Sequence, residues 1–177
     1  MAQVTNKTRK RTTTETIRRK ALSLGALDAK VISTTKVFTA CWVRWKCRYG
    51  CDGFGSSLLC PPHSPTPEET RKMLDEYTRA ILIHCEAGTD VRPMIAKLER
   101  NAFLAGFYKA FGFACGPCDM CPSCALEHGC RHTKQARPAM EACGIDVFRT
   151  ARDAGFPIEV VTSPSCKQNY YGLLLLE

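Results

Sequence analysis

Apolar positions recur along this chain with two alternating periods, one helical and one of strands, and the alternation predicts a sheet flanked by helices. Residues 1–12 carry no such pattern and read as a disordered basic tail. From a cap at Thr13 or Thr14, Ile17, Ala21, Leu22 and Leu24 fall on one side of a helix running to about Leu27, with Gly25 near the stop. Ala29–Ile32 and Val37–Trp45 are rich in β-branched and aromatic residues and read as strands. Lys46–Pro67 is a cysteine-, glycine- and proline-rich loop without helical period. Pro67-Glu68-Glu69 then opens a helix to about Thr78, because proline is pre-set for the first turn and acids there meet the helix dipole. Ala80–Cys85 is an apolar strand. Val91–Ala110 shows a helical period through Met94, Ile95, Leu98, Phe103 and Phe107, with a short strand near Phe111–Ala114 after it. Ala136–Cys143 and Asp146–Ala154 read as short helices, and Ile158–Val161 and Tyr170–Leu175 as final strands.

This order predicts the α/β class: a helix-flanked mixed sheet built from βαβ units with right-handed crossovers, carrying two cysteine-rich metal-binding loops. At 177 residues, one domain over 13–177 is the expectation, with metal loops at about 41–63 and 115–132. If the strands ending near Trp45, Cys85 and Ala114 run parallel, both cysteine loops and Cys85 emerge at their carboxyl ends. Open α/β sheets place ligands at that edge.

Composition sharpens the picture at one residue type. An apolar fraction of 45% is ordinary, but twelve cysteines are far too many for an ordinary cytosolic chain. In a secreted protein an even number would suggest disulfides, yet the N-terminus is polar and basic with no apolar core segment. No apolar stretch approaches a membrane span. A cytoplasmic, reducing location is therefore expected, where clustered cysteines bind metal or do redox work. The formal charge of +8 counts every cysteine as neutral. Two [4Fe–4S]²⁺ cores, each about −2 with four thiolates, would bring it to roughly +4, so the nucleic-acid-like balance is partly an artefact of counting.

Between Cys115 and Cys130 lie five cysteines in sixteen residues, spaced C-x2-C-x2-C-x2-C-x5-C. Such a run surrounds a small volume with sulfur, which suits a polynuclear cluster better than one ion. It approaches the ferredoxin spacing without matching it, since Arg131 stands where proline would follow. Five thiols compete for four places. Cys118, Cys121, Cys124 and Cys130 are the chosen ligands, leaving Cys115 spare, with Arg131 and His132 as hydrogen-bond donors to the sulfurs or solvated surface residues. Zinc held by four cysteines is the redox-silent rival, although its pairs usually lie well apart in sequence. Cys115-Gly-Pro-Cys118 is also the thioredoxin tetrapeptide, but that chemistry needs a helix starting at the motif, and Pro122 and the next cysteines interrupt one.

Upstream, Cys47-x3-Cys51-x8-Cys60-Pro-Pro places three thiols in a loop with Gly50, Gly53 and Gly55, which can wrap closely round an object. A fourth ligand could be Cys41, Cys85 or His63, or no protein group at all. Strand alternation makes Cys41 a core thiol, Cys85 reads as a small buried hydrophobe, and His63 as a surface histidine. A three-cysteine cluster would leave one iron open to substrate.

The stretches CRYGCDGFGSSLLCPP, GPCDMCPSCALEHGCRH and ARPAMEACGIDVF resemble a family of small, cysteine-rich bacterial and archaeal proteins labelled as predicted metal-binding and carrying a domain of unknown function. The resemblance covers about Leu24 to Val161. It implies Cys47, Cys51, Cys60, Cys118, Cys121, Cys124 and Cys130 as metal-binding positions and leaves Cys41, Cys115, Cys143 and Cys166 off the motif. Thr133 and Ala139 stand where proline and serine are expected, which removes no ligand.

The function expected is an iron–sulfur protein with two [4Fe–4S] clusters that exchanges electrons with a redox protein partner. The alternatives are a reductase or sulfur-handling enzyme with an open three-cysteine cluster, and a zinc-stabilised structural or interaction module. Neither membrane nor nucleic acid is expected as a partner: Lys7, Arg9, Lys10, Arg11, Arg18, Arg19 and Lys20 lack aromatic interleaving and read as a solvated tail and helix face. Gly53–Ser57 lacks the lysine of a phosphate loop, and no Ser–His–Asp set or paired acidic site is recognisable. Arg137 is open between a cluster-sulfur donor and a salt-bridge partner.

Overall fold

The architecture comes from a computed structural model that describes residues 13–177. The predicted tail, residues 1–12, lies outside the described residues. Five helices and four strands follow in the order α1 (Thr14–Ser23), β1 (Asp28–Ser33), α2 (Cys41–Gly50), α3 (Pro67–Asp75), β2 (Arg79–Glu86), α4 (Val91–Leu104), β3 (Phe111–Phe113), α5 (Val147–Asp153) and β4 (Asn169–Leu175). The mixed α/β class expected from the sequence is observed, and the local signals act as chemistry predicts. Thr13 caps α1 by accepting the Thr16 N–H. At α3, Thr66 and Glu69 form a reciprocal capping box ahead of Pro67, satisfying two orphan donors.

The sheet is antiparallel throughout, in the order β1-β2-β4-β3, and not an assembly of βαβ units with adjacent parallel strands. Direction nevertheless repeats. β2 and β3 are each antiparallel to β4, so they run the same way, with α4 crossing between them and β4 inserted. Residues of β2 alternate between two cores, as a pleated strand requires. Ala80 and Leu82 pack with Leu74 of α3, Ala151 of α5, Met140 and Ile145. Ile81, Ile83 and Cys85 pack with Ile17 and Ala21 of α1 and Ile95 and Leu98 of α4. The expected final strand is thus core, with Leu173–Leu176 fully buried. α4 lies hard against the sheet because two strand positions are glycine. A Cβ on Gly112 would stand 2.3 Å from Ile95 Cγ2, and one on Gly172 would stand 2.9 Å from Ile95 Cδ1.

Three predicted elements differ. Val37–Trp45 is not a strand: only Thr39 makes an isolated bridge, to Ile145, and α2 begins at Cys41. Its aromatics suggested a β pattern, but Val43 turns inward while Trp42, Trp45 and Tyr49 are exposed, a helical disposition that short apolar runs do not disclose. Ala136–Cys143 is helical only as a 3-10 turn at Glu141–Cys143. Pro138 supplies no N–H, and the backbone there bonds across to Ala114 instead: the Ala114 N–H to the Pro138 carbonyl at 2.8 Å, and the Met140 N–H to the Ala114 carbonyl at 3.0 Å. Ile158–Val161 joins no strand; Ile158 is buried, but Val160 and Val161 face outward.

Candidate metal centre

The shared direction of β2 and β3 sends their carboxyl ends to one edge of the sheet, where β4 begins. The expected site edge therefore stands on a different topology, with α2 in place of the strand that was to end at Trp45. A cavity of about 580 Å³ opens at that edge. Its walls include Cys47, Cys51 and Cys60, the Gly88–Asp90 turn after β2 with the first residues of α4, and Cys115 and Tyr170.

α2 positions the first of these thiols. Cys47 lies in its last turn and Cys51 is its C-cap, four residues on, and both line the cavity at that end of the helix. Burial, then the nearby Cys51, Glu141 and Cys60, push the Cys47 thiol up, which puts three thiols and a carboxyl in one neighbourhood. The loop between them runs close: a Cβ on Gly53 would be 3.4 Å from Cys51 Sγ and 3.8 Å from Pro117 Cβ. Its exit is tied down by Arg44, whose Nη1 donates to the Ser64 carbonyl at 2.9 Å and the Pro65 carbonyl at 2.7 Å. Ser64 Oγ in turn donates to the Ala142 carbonyl at 2.6 Å.

The three residues considered as a fourth ligand lie off this cavity. Cys41 is not a core thiol. It is exposed at the start of α2 and donates to Glu68 Oε1 at 3.1 Å, which pushes its pKa up. Cys85 is fully buried in the α1/α4 core, 3.9 Å from Met94 Sδ, and burial pushes it up to about 11. His63 is exposed.

Cys118, Cys121, Cys124 and Cys130 all line a second cavity, of about 290 Å³. Ser56–Leu59 of the upstream loop forms part of its wall, so the two cysteine loops pack on each other. Two backbone donors point at sulfur: the Leu58 N–H at Cys124 Sγ and the His132 N–H at Cys130 Sγ, each at 3.4 Å. Arg131 and His132 line this cavity too. No helix starts at Cys115-Gly-Pro-Cys118, so the thioredoxin arrangement is absent from the described residues.

Two arginines brace the region. Arg92, only 5% exposed, reaches from the first turn of α4 to the Arg137 carbonyl at 3.2 Å, the Gly116 carbonyl at 2.9 Å and the Pro117 carbonyl at 3.0 Å. It clamps the strand-to-loop junction that carries Cys115. Arg137 is a salt-bridge partner rather than a sulfur donor: its Nε and Nη2 fork onto Glu99 at 2.6 and 2.5 Å. Sequence reasoning missed Arg92 and Glu141. The signal for Arg92 was a cation beside the apolar face of a helix that directly follows a core strand. Glu141 lies within the third quoted stretch, and burial raises its carboxyl above the usual range.

All twelve cysteines are free thiols. Among the described residues, no three His, Cys, Asp or Glu side chains converge as one metal ion would require; the thiols are arrayed around cavity walls. No helix of the described residues is long and apolar enough to cross a membrane. The chain belongs to the family described as "Predicted metal-binding protein (DUF2284)", whose model matches residues 30–176. No curated protein and no solved structure matches it.

Proposed function

We propose that this member of the predicted metal-binding family holds two [4Fe–4S] clusters, one on each cysteine set, and exchanges electrons with a redox protein in a reducing cytoplasm. The observation that carries the reading is the second cavity. Four thiols from one contiguous segment surround it, and backbone N–H groups are directed at two of their sulfurs. Such N–H···S bonds favour thiolate and offset the negative charge of a bound cluster. Thiols spread around a volume suit a polynuclear group, whereas tetrahedral zinc needs four donors drawn to one point. Cys118, Cys121, Cys124 and Cys130 would hold one cluster, and Cys47, Cys51 and Cys60 the other. A cluster in either place supplies one-electron redox chemistry.

What the chain's own residues contribute is placement and charge. Packing of Ser56–Leu59 against the second cavity brings the two sites into contact through protein. Arg131 and His132 at its wall add positive charge or donors, which raise a cluster's reduction potential. The outer face of α2 supports an acidic protein as partner: it exposes Trp45 and Tyr49, and α2 bears Arg44, Lys46 and Arg48 with no acid. The test is anaerobic reconstitution of the full chain with ferrous iron and sulfide. About eight iron and eight acid-labile sulfide per chain, with broad visible absorption that bleaches on reduction, is the expected result. Stoichiometric zinc with no sulfide in anaerobically purified protein would instead establish the structural module.

A further inference from the structure

We infer that Cys115 completes the upstream set and is the fourth thiolate of the cluster held by Cys47, Cys51 and Cys60; this rests on the two-cluster reading. By spacing, Cys115 belongs to the downstream run. By position it does not: it is absent from the wall of the second cavity and shares the wall of the first with Cys47, Cys51 and Cys60. A third, larger cavity of about 730 Å³ between α2 and residues 158–161 is also lined by Cys47, Cys51 and Cys115, so these three thiols border both open spaces.

The route of the backbone explains the transfer. β3 ends at Phe113, and Ala114 is fixed to residues 138–140 by two backbone hydrogen bonds. Cys115 is therefore still at the sheet edge, on the level of the β2 turn, before the chain departs into the downstream loop. The Arg92 clamp on the Gly116 and Pro117 carbonyls holds that junction against the Gly53 side of the upstream loop. Glu141 lines both of these cavities together with Cys47 and Cys115. The other candidates are engaged elsewhere, Cys41 with Glu68 and Cys85 with Met94. Closure by Cys115 makes both clusters four-cysteine sites, as an electron carrier requires, and leaves no iron open to substrate.

The experiment compares the anaerobically reconstituted full chain with Cys115→Ala, Cys41→Ala, Cys85→Ala and His63→Ala, reading iron, sulfide and the electron paramagnetic resonance of the reduced and oxidised states. Cys115→Ala should lose about one to four irons per chain and change the spectrum of one cluster, with the other unchanged. The three comparison variants should keep the wild-type content and spectra. A Cys115→Ala protein with wild-type iron and spectra overturns the inference, as does selective cluster loss in Cys41→Ala, Cys85→Ala or His63→Ala. Should Cys115→Ala fail to fold, alkylation of the wild type decides. Loading should protect Cys115 from iodoacetamide together with Cys47, Cys51 and Cys60, relative to the metal-free protein. Cys115 labelled at equal rates in loaded and metal-free protein overturns it. A wild type that takes up no iron and sulfide sinks the two-cluster reading itself, and this inference with it.

Discussion

Replacing Arg92 with leucine isolates the clamp that holds the cysteine-bearing junction. The guanidinium is nearly inaccessible and makes three short bonds to the carbonyls of Gly116, Pro117 and Arg137. Its ion pair with Asp119, at 3.6 Å, adds little because that carboxylate is 91% exposed. Leucine keeps the packing of the aliphatic stem and removes the donors. Hydrogen bonds from a charged donor net about 1.5–3 kcal/mol each. These three share one group, and water can enter from the cavity to serve the carbonyls, so the sum falls well below three independent bonds. The expected loss is about 3 kcal/mol, close to one fully lost charged bond. For a chain of this size that corresponds to a fall in Tm of about 6–12 °C. Circular dichroism melting of the metal-free chain under reductant measures it, and hydrogen exchange should show residues 114–119 losing protection ahead of the β2/β4 core. A fall under about 2 °C with unchanged exchange in that segment would refute the clamp.

Gly112→Ala tests the close approach of α4 to the sheet. Its Cβ would meet Ile95 Cγ2 at 2.3 Å, so overpacking should cost about 1–3 kcal/mol in urea unfolding, and an unchanged midpoint would mean that α4 sits farther off. Cys166 is held low, at about 6, first by the Ser163 hydroxyl and then by Thr162. A depressed thiol is thiolate above its pKa and is lost as pH falls through it, so iodoacetamide labelling of Cys166 should be near maximal at pH 7 and half-maximal near pH 6. A labelling midpoint at the ordinary cysteine value of about 8.5 would show that the two hydroxyls do not support the anion.

What the sequence disclosed depended on whether the signal was local. The cap of α3, the helical period of α4 and the apolar runs of β2 and β4 each fix their element within a dozen residues, and all four form as expected. α2 did not, because Trp42, Val43 and Trp45 satisfy a strand pattern as well as a helical one over so short a run. Its helical state is bound up with packing against the Glu141–Cys143 turn a hundred residues away. Strand order was hidden for the same reason: nothing near β4 says that it inserts between β2 and β3. For the thiols, spacing named the two sets and left Cys115 spare, while the position of the β3 end puts it on the wall of the cavity that Cys47 also lines. Buried Arg92 stayed invisible because its partners are backbone carbonyls far along the chain rather than sequence neighbours.

The chain has only two tryptophans, and both lie on α2. Trp42 and Trp45 are 47% and 68% exposed, and Trp42 lines the same cavity as Cys47. Tryptophan emission of the entire protein is therefore emission from one ten-residue helix. A visible-absorbing chromophore seated at Cys47 must drain that emission by energy transfer, and a molecule laid over the indoles must shift its colour, so the helix carries its own optical gauge without any added label.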